Sequence, residues 1–392
     1  MKITDIKTYV VYAYRVNFLF VKVFTDEGIT GVGEGTLDTK ESALLGAVED
    51  IRPMVIGKNP IDIEKLTHDL YRDTYWRIGA VLQSAISMIE IACWDICGKY
   101  YNAPVMNLLG GQFRDEIKLY ANGWFAGAKT PEDFAEKAKY AVSKGIKALK
   151  WDPFGKSYMH IERQALHNAI NCVAAVRDAV GPDVDILIEG HGRFDVPTAI
   201  EITKALKPYE PMFFEEPVPP DSLDALAAVH KKAEVPIAAG ERLYSIRNFL
   251  EFIEKGCADF AQMDVTHCGG IMALKKMAAM AEAAYIEFAP HNPSGPVANA
   301  ASLQLAGNLP NYRILEIMYT DVNWRGELSD EEVVFNDGCI RIPKKPGLGV
   351  ELCEENFAKY PFMPVYFKHY NGNLTDVRPK EATSCYFKQY EE

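Results

Sequence analysis

Six polar residues recur at a steady stride through the middle of the chain. Glu189, Glu215, Glu241, Asp264, His291 and Glu316 each follow a short apolar run, at separations of 26, 26, 23, 27 and 25 residues. Three carboxylates brought to one point repel one another and need a compensating cation. Glu189, Glu215 and Glu241 are therefore candidate metal ligands, and an all-oxygen set at an open site suits Mg²⁺. The alternative for each is a solvated glutamate at a loop start; the shared phase of the three argues for the metal. Glu216, beside Glu215 in Glu215-Glu216-Pro217, is left by the spacing to bind a neighbour. Asp264 and His291 end successive apolar runs, where the carboxylate would orient the ring and stabilise its charged form. That makes a general base–acid dyad. Taken singly, Asp264 also reads as a helix cap and His291 as a loop histidine.

His191 lies two residues beyond Glu189, in Gly190-His191-Gly192, and would enter the same mouth; a turn histidine is the other reading. Lys150 and Asp152 flank Trp151, so they share one face of a strand. They read either as binders of a substrate carboxylate and hydroxyl or as a partly buried structural ion pair. His267 lies close to Asp264 in sequence but has no evident partner. His68, His160, His167, His230 and His369 read as surface or packing residues.

One strand, one helix and two short loops occupy about 25 residues. The stride therefore predicts a repeating βα unit with a polar residue at each strand's carboxyl end, which is a (β/α)8 barrel with its site on the top face. Eight strands are expected, at 117–121, 148–151, 185–188, 212–214, 237–239, 260–263, 286–289 and 313–315. Helices are expected at 132–144, 162–180, 222–233, 246–255, 271–284 and 297–306. The first starts behind Thr130-Pro131 and the second stops at Gly181-Pro182.

A barrel takes roughly 250 residues, and the chain has 392. Residues 1–115 read as a separate α+β segment: a strand at 3–12, a hairpin of 18–24 and 29–33, and helices at 42–51, 61–75 and 80–100. Gly31-Val32-Gly33-Glu34-Gly35 closes the hairpin; it lacks the third glycine and the strand-to-helix setting of a dinucleotide loop. Residues 317–345 carry turn and strand signals. Pro346-Gly347-Leu348-Gly349-Val350 marks a break, and the aromatic, proline-rich tail 351–392 is expected to pack on the rest.

Composition narrows the function. Hydrophobic content of 48% and charged content of 24% are those of a globular chain. A net charge of −12 argues against nucleic-acid binding, because there is no basic excess to displace counterions. Eight cysteines over this length make no disulfide scaffold, Cys93 and Cys97 read as packing residues, and no zinc-type pair occurs. No signal-like start and no uninterrupted apolar run approaching a membrane span are seen. The expectation is a soluble, cytoplasmic protein, for which the glycosylation-like Asn373-Leu374-Thr375 is silent.

Leu108-Leu109-Gly110-Gly111, Phe214-Glu215-Glu216-Pro217, Ala239-Gly240-Glu241-Arg242, Gly269-Gly270, Ala289-Pro290-His291 and Pro346-Gly347-Leu348-Gly349 mark a known pattern. Over nearly its whole length the chain resembles the enolase superfamily, in its mandelate racemase-like branch. Lys147-Ala148-Leu149-Lys150-Trp151-Asp152-Pro153-Phe154-Gly155 and Ile186-Leu187-Ile188-Glu189-Gly190-His191-Gly192-Arg193-Phe194 are similar to aldonate dehydratases of the gluconate, galactonate and arabinonate kind. Racemases of the branch carry a second lysine where Asp152 stands here, which argues against racemisation by a lysine base. Relatives usually have aspartate at the first metal position, where this chain has Glu189.

The resemblance implies an α/β fold, with a (β/α)8-type barrel over 116–345 and an α+β capping domain over 1–115 to which 346–392 returns. It implies one Mg²⁺ on Glu189, Glu215 and Glu241, and dehydration of a sugar acid to a 2-keto-3-deoxy acid. His291, tuned by Asp264, would take the C2 proton. Lys150 would neutralise the carboxylate charge, and Glu316, protonated or sharing a proton, would hydrogen-bond the other carboxylate oxygen; a buried structural acid is the other reading of Glu316. His191 would protonate the departing 3-hydroxyl, with Asp152 and Arg193 contacting substrate. Capping-domain loops at 12–20 and 75–79 would set specificity, and the assembly would be a homo-oligomer without nucleic-acid or membrane partners. Two other readings stand: a racemase or epimerase with His191 and His291 as opposed bases, and a catalytically silent, metal-stabilised binding protein.

Overall fold

The computed structural model describes residues 1–319, 321–366 and 388–389; His369, Cys385 and Asn373-Leu374-Thr375 lie outside the described residues. Alternating apolar residues near the start pair as an antiparallel sheet of β1 (Ile3–Ala13), β2 (Val16–Thr25) and β3 (Thr30–Glu34). Helices α1 (Glu41–Val55), α2 (Ile63–Arg72), α3 (Ala80–Tyr100) and α4 (Val105–Leu108) follow. The glycines of the β3 region are there for packing. A Cβ on Gly31 would lie 2.1 Å from Ala92 O, and one on Gly33 would lie 2.0 Å from Met88 O. Their absence of side chains lets β3 lie directly on the α3 backbone.

By length and composition α3 could cross a membrane, which a search for uninterrupted runs overlooks because Glu90 and Asp95 interrupt it. Here α3 is apolar on all sides for another reason: it is buried between β2, β3, α1, α2 and α10 (Ile271–Ala283). A helix covered all round has no polar face to show.

Eight parallel strands then make the barrel: β4 (Glu116–Asn122), β5 (Ala148–Trp151), β6 (Asp185–Glu189), β7 (Phe213–Glu215), β8 (Ile237–Ala239), β9 (Phe260–Ala261), β10 (Glu287–Phe288) and β11 (Leu315–Met318). Neighbours in sequence pair in parallel from β4 to β10, and β11 pairs β4. The ring closes between β10 and β11 through a parallel bridge of Phe288 to Tyr312. The outer helices are α5 (Pro131–Ser143), α6 (Arg163–Val180), α7 (Val196–Leu206), α8 (Leu223–His230), α9 (Ile246–Glu254), α10 and α11 (Pro296–Ala306). Their starts follow local chemistry. Thr130 and Asp133 form a reciprocal capping box at α5, and Asp195, Ser222 and Ser245 cap α7, α8 and α9. Each such cap is worth about 1 kcal/mol.

One residue from each strand or its edge fills the barrel interior: Tyr120, Ala148, Leu187, Phe213, Ala238, Phe260, Ala289 and Ile314. Bulky and small side chains share this layer, which makes it a packed floor. Beyond the barrel come α12 (Arg325–Leu328) and the strands β12 (Val334–Asn336), β13 (Cys339–Arg341) and β14 (Lys388–Gln389). The short helical turn Glu354–Lys359 returns to β1 and β2, where Phe357 meets Tyr9 and Phe20 at 5.3 and 5.7 Å between ring centroids.

Candidate active site

Side chains on a strand alternate in direction, so two residues beyond each floor residue the next side chain also points inward. That step leads from the floor to Asn122, Lys150, Glu189, Glu215, Gly240, Gln262, His291 and Glu316. The layer above the floor is therefore polar and lies at the strands' carboxyl ends. At β8 the inward position is Gly240, with φ +127°, and the turned backbone brings in Glu241 one residue later.

Lys150 is the centre of this layer. Its Nζ lies 2.8 Å from Glu215 Oε1, 3.2 Å from Glu189 Oε2 and 3.0 Å from Glu316 Oε1. Below it, 5.1 Å from Nζ, is the face of the Tyr120 ring. Burial pushes the ammonium pKa down, but Glu215, Glu316 and Glu189 outweigh that, and it rises. Glu215 is pushed up to about 7, by burial and by the charge of Glu189. Glu316 moves the other way: burial raises its pKa, but Lys150, His291 and Asn122 outweigh that and lower it. Asn122 Nδ2 donates to Glu316 Oε1 at 2.8 Å, and Asn292 N donates to Oε2 at 3.1 Å. In this arrangement Glu316 accepts from Asn122 and the backbone after His291 and pairs with Lys150.

Two histidine–carboxylate pairs flank the polar layer. His291 Nδ1 lies 2.8 Å from Asp264 Oδ2, and Nε2 lies 3.5 Å from Glu241 Oε2. Burial lowers the His291 pKa, while Glu241, the Asp264 hydrogen bond and Glu316 raise it, to about 10 on balance. Asp264 is fixed in turn by Thr266, whose N and Oγ1 donate to Oδ1 at 2.7 and 2.6 Å. Despite burial, His267 and His291 depress the Asp264 pKa to about 2.

The second pair is His191 Nδ1 with Asp152 Oδ2, at 2.7 Å. His191 takes a left-handed backbone, φ +52°, and its N–H donates to Glu189 Oε1 at 2.7 Å. For a residue with a side chain that conformation costs on the order of 1 kcal/mol. Burial lowers the ring's pKa, but Glu189 and Asp152 raise it overall. The two histidines come from the third and seventh of eight strands, and so face each other across the ring.

Several expectations change on this geometry. Lys150 and Asp152 are not paired; Asp152 serves His191. Arg193, expected on the substrate, is 0% exposed. Its guanidinium donates to Asp152 Oδ2, Gly155 O and Gly190 O, so it backs Asp152 from inside the protein. His267 does have a partner: Nδ1 lies 2.8 Å from Ser84 Oγ of the capping domain, and burial lowers its pKa. Glu216 pairs with Arg242, away from Lys150. Asn122, Gln262, Thr266 and Asn292 were not anticipated. Both polar atoms of Gln262 are buried without a hydrogen-bond partner among the described residues.

Two family models cover the chain. Residues 5–110 match the mandelate racemase / muconate lactonizing enzyme N-terminal domain, and residues 133–356 match the enolase C-terminal domain-like family. The chain belongs to the mandelate racemase-like branch of the enolase superfamily. This enolase-superfamily chain is 39% identical over 364 residues to a D-galactonate dehydratase of Variovorax paradoxus, covering 91% of this chain and 94% of that one. It is 37% identical over 349 residues to a D-gluconate dehydratase of Thermoproteus tenax, covering 88% of this chain and 70% of that one. A solved enolase-superfamily member from Salmonella Typhimurium superposes with a TM-score of 0.88 at 31% identity, covering 92% of this chain and 98% of that one. The mandelate racemase/muconate lactonizing enzyme from a Sulfitobacter species gives 0.87 at 32% identity, over 93% and 96%.

The metal expectation can be tested on the donor set. Among the described residues no group of three acidic, histidine or cysteine side chains converges at ligating distance. Lys150 sits among Glu189, Glu215 and Glu316, and Glu241 leans toward His291. The chemistry nevertheless fits Mg²⁺. Glu189, Glu215 and Glu241 are carboxylates at the ends of three adjacent strands, and Glu189 and Glu215 are register partners. Burial, then the charge of Glu189, raise the Glu215 pKa, and a cation held between these carboxylates would offset that repulsion.

Proposed function

We propose that this chain is a hydro-lyase that dehydrates a sugar acid of the aldonate class, removing the C2 proton and the 3-hydroxyl to give a 2-keto-3-deoxy acid. The observation that carries the reading is the pair of histidine–carboxylate dyads on opposite sides of the barrel mouth, above one buried lysine. The gluconate and galactonate dehydratases named among its relatives support the substrate class.

A substrate carboxylate over the polar layer would receive a hydrogen bond from Lys150, which neutralises the charge that develops as C2 loses its proton. His291 Nε2 would take that proton, with Asp264 holding the ring by Nδ1. Glu189, Glu215 and Glu241 would hold Mg²⁺, which would supply Lewis-acid charge for the substrate carboxylate. His191, whose pKa Glu189 and Asp152 raise against the effect of burial, would give its proton to the departing 3-hydroxyl. The resulting enol tautomerises to the 2-keto acid, so one proton and one hydroxide leave as water.

The test is incubation with Mg²⁺ and a panel of diastereomeric aldonates and aldarates, with assay for 2-keto acid and NMR in D₂O. A keto product from at least one acid supports the reading. No keto product from the whole panel sinks it. The facing histidines also favour a second reading, a racemase or epimerase; the same spectra would then show an inverted C2 with the 3-hydroxyl retained.

A further inference from the structure

We propose that Glu34 of the capping domain is a positioning residue for His291, gripping the barrel loop that carries it; the inference rests on the reading of His291 as the base. Glu34 ends β3 and is 0% exposed. Its carboxylate leaves its own domain's sheet and accepts from three backbone N–H groups of the barrel. Gly295 N donates to Oε1 at 2.6 Å, and Val297 N and Ala298 N donate to Oε2 at 3.1 and 2.9 Å. Thr36 Oγ1 donates to Oε1 at 2.6 Å and fixes the carboxylate from behind.

Those N–H groups open α11, four to seven residues after His291. The helix has no side-chain cap of its own, because its N-cap residue is Gly295. The glycine is required there: a Cβ would stand 2.7 Å from Glu34 Oε1. Orphan donors at a helix start need an acceptor, and this one comes from another domain. The intervening loop is tied residue by residue. Asn292 N donates to Glu316, Pro293 O accepts from Arg15 of the capping domain, and Ser294 O accepts from Arg325. Glu34 closes the series, so the loop has no untied residue from which His291 could drift.

The same device occurs at the other half of the dyad. The segment after Asp264 leads into α10, whose N-cap is Gly270. Glu90 of α3, also 0% exposed, accepts from Ile271 N and Met272 N at 2.8 Å each. A Cβ on Gly270 would lie 2.0 Å from its Oε2. The two barrel helices that follow Asp264 and His291 are thus both capped by buried carboxylates of the capping domain. These are the two barrel helices that pack on the capping domain, α10 against α3 and α11 against β3 and α4, so the cross-domain caps fall where the domains meet and fix the segments that carry Asp264 and His291.

The test pairs Glu34→Gln with Gly295→Ala, which attack one contact from its two sides, in the full-length protein. Circular dichroism and thermal unfolding check that each variant is folded. For either folded variant the expected result is a fall in kcat on the order of 10-fold with KM changed less than about 2-fold. The imidazole ¹⁵N and ¹H resonances of His291 should shift while those of His191 stay. The resonances are read without substrate, so they judge the positioning even if the proposed reaction proves wrong. Unchanged His291 resonances in a folded variant, or equal shifts at both histidines, would overturn the proposal. If Glu34→Gln does not fold, Gly295→Ala alone decides by the same readings; if neither folds, Glu34→Asp decides, keeping the charge but shortening the reach.

Discussion

At the residue scale, the two histidines are chemically alike and are separated by what surrounds them. His291 stands beside Asp264, Glu241 and Glu316; His191 stands beside Asp152 and Glu189. If His291 takes the C2 proton and His191 serves the leaving group, single substitutions should divide the reaction. His291→Asn should abolish both C2 deuterium exchange and keto-acid formation, by 10²-fold or more. His191→Asn should abolish dehydration yet retain exchange at C2, followed by NMR in D₂O. Asp152→Asn should keep the fold and exchange but slow dehydration roughly 10- to 100-fold, because the ring loses the acceptor that fixes its tautomer. Retention of full dehydration by Asp152→Asn would count against Asp152 as the group that orients His191. The stride made six of these residues legible, since each follows an apolar strand. Lys150 and His191 lie outside that stride, Lys150 on a strand of its own and His191 two residues past Glu189. Asn122 and Gln262 sit at the same inward step, but amide side chains announce no chemistry, so nothing drew attention to them.

At the element scale, the barrel strands were readable because alternation and length are local properties. Ala148–Trp151 and Ile237–Ala239 fall where expected, and Ala80–Tyr100 matches its helix at both ends. The ladders of β9 and β10 are shorter than their apolar runs, at two residues each. Gln262 N and Ala289 N still donate to the neighbouring strands, and beyond them the chain turns into the site, where the side chains of Asp264 and Glu316 accept from Thr266 N and Asn292 N. The glycine run 31–35 shows how one residue type carries different roles. Gly33→Ala should destabilise the protein by about 3 kcal/mol, since its Cβ meets the α3 backbone and backbone cannot give way. Gly46 lies mid-way along α1, exposed and with nothing within 4 Å of a built Cβ. There an alanine should stabilise by about 1 kcal/mol. Opposite shifts of the denaturant midpoint for the two variants would check both statements.

At the scale of the whole molecule, acidic residues exceed the cations that face them inside the barrel. A bound divalent ion should therefore stabilise the fold as well as serve the reaction. Protein stripped with a chelator should unfold at a lower temperature and regain stability on adding Mg²⁺, by about 2.7 kcal/mol at a hundred times its dissociation constant. Glu215→Gln should blunt that gain, as read by scanning calorimetry with and without the ion. A Mg²⁺-independent melting curve would count against Glu189, Glu215 and Glu241 as ligands. Domain contact is also a whole-molecule property. Ser84, Glu34 and Glu90 reach from the capping domain to His267, α11 and α10. Their partners are more than 180 residues away, at a separation no local pattern encodes.

By itself the sequence determined the eight-strand rhythm, the polar residue at each strand end and the family, because periodicity and motif spacing are written along the chain. Only the tertiary structure decided which charges pair. It placed Asp152 on His191 instead of Lys150, buried Arg193 behind Asp152, and set Glu316 between Lys150 and the His291 loop. The physical reason is that a charged side chain's partner is chosen by distance and burial across the ring of strands, and residues equally spaced in sequence do not arrive equally close in space.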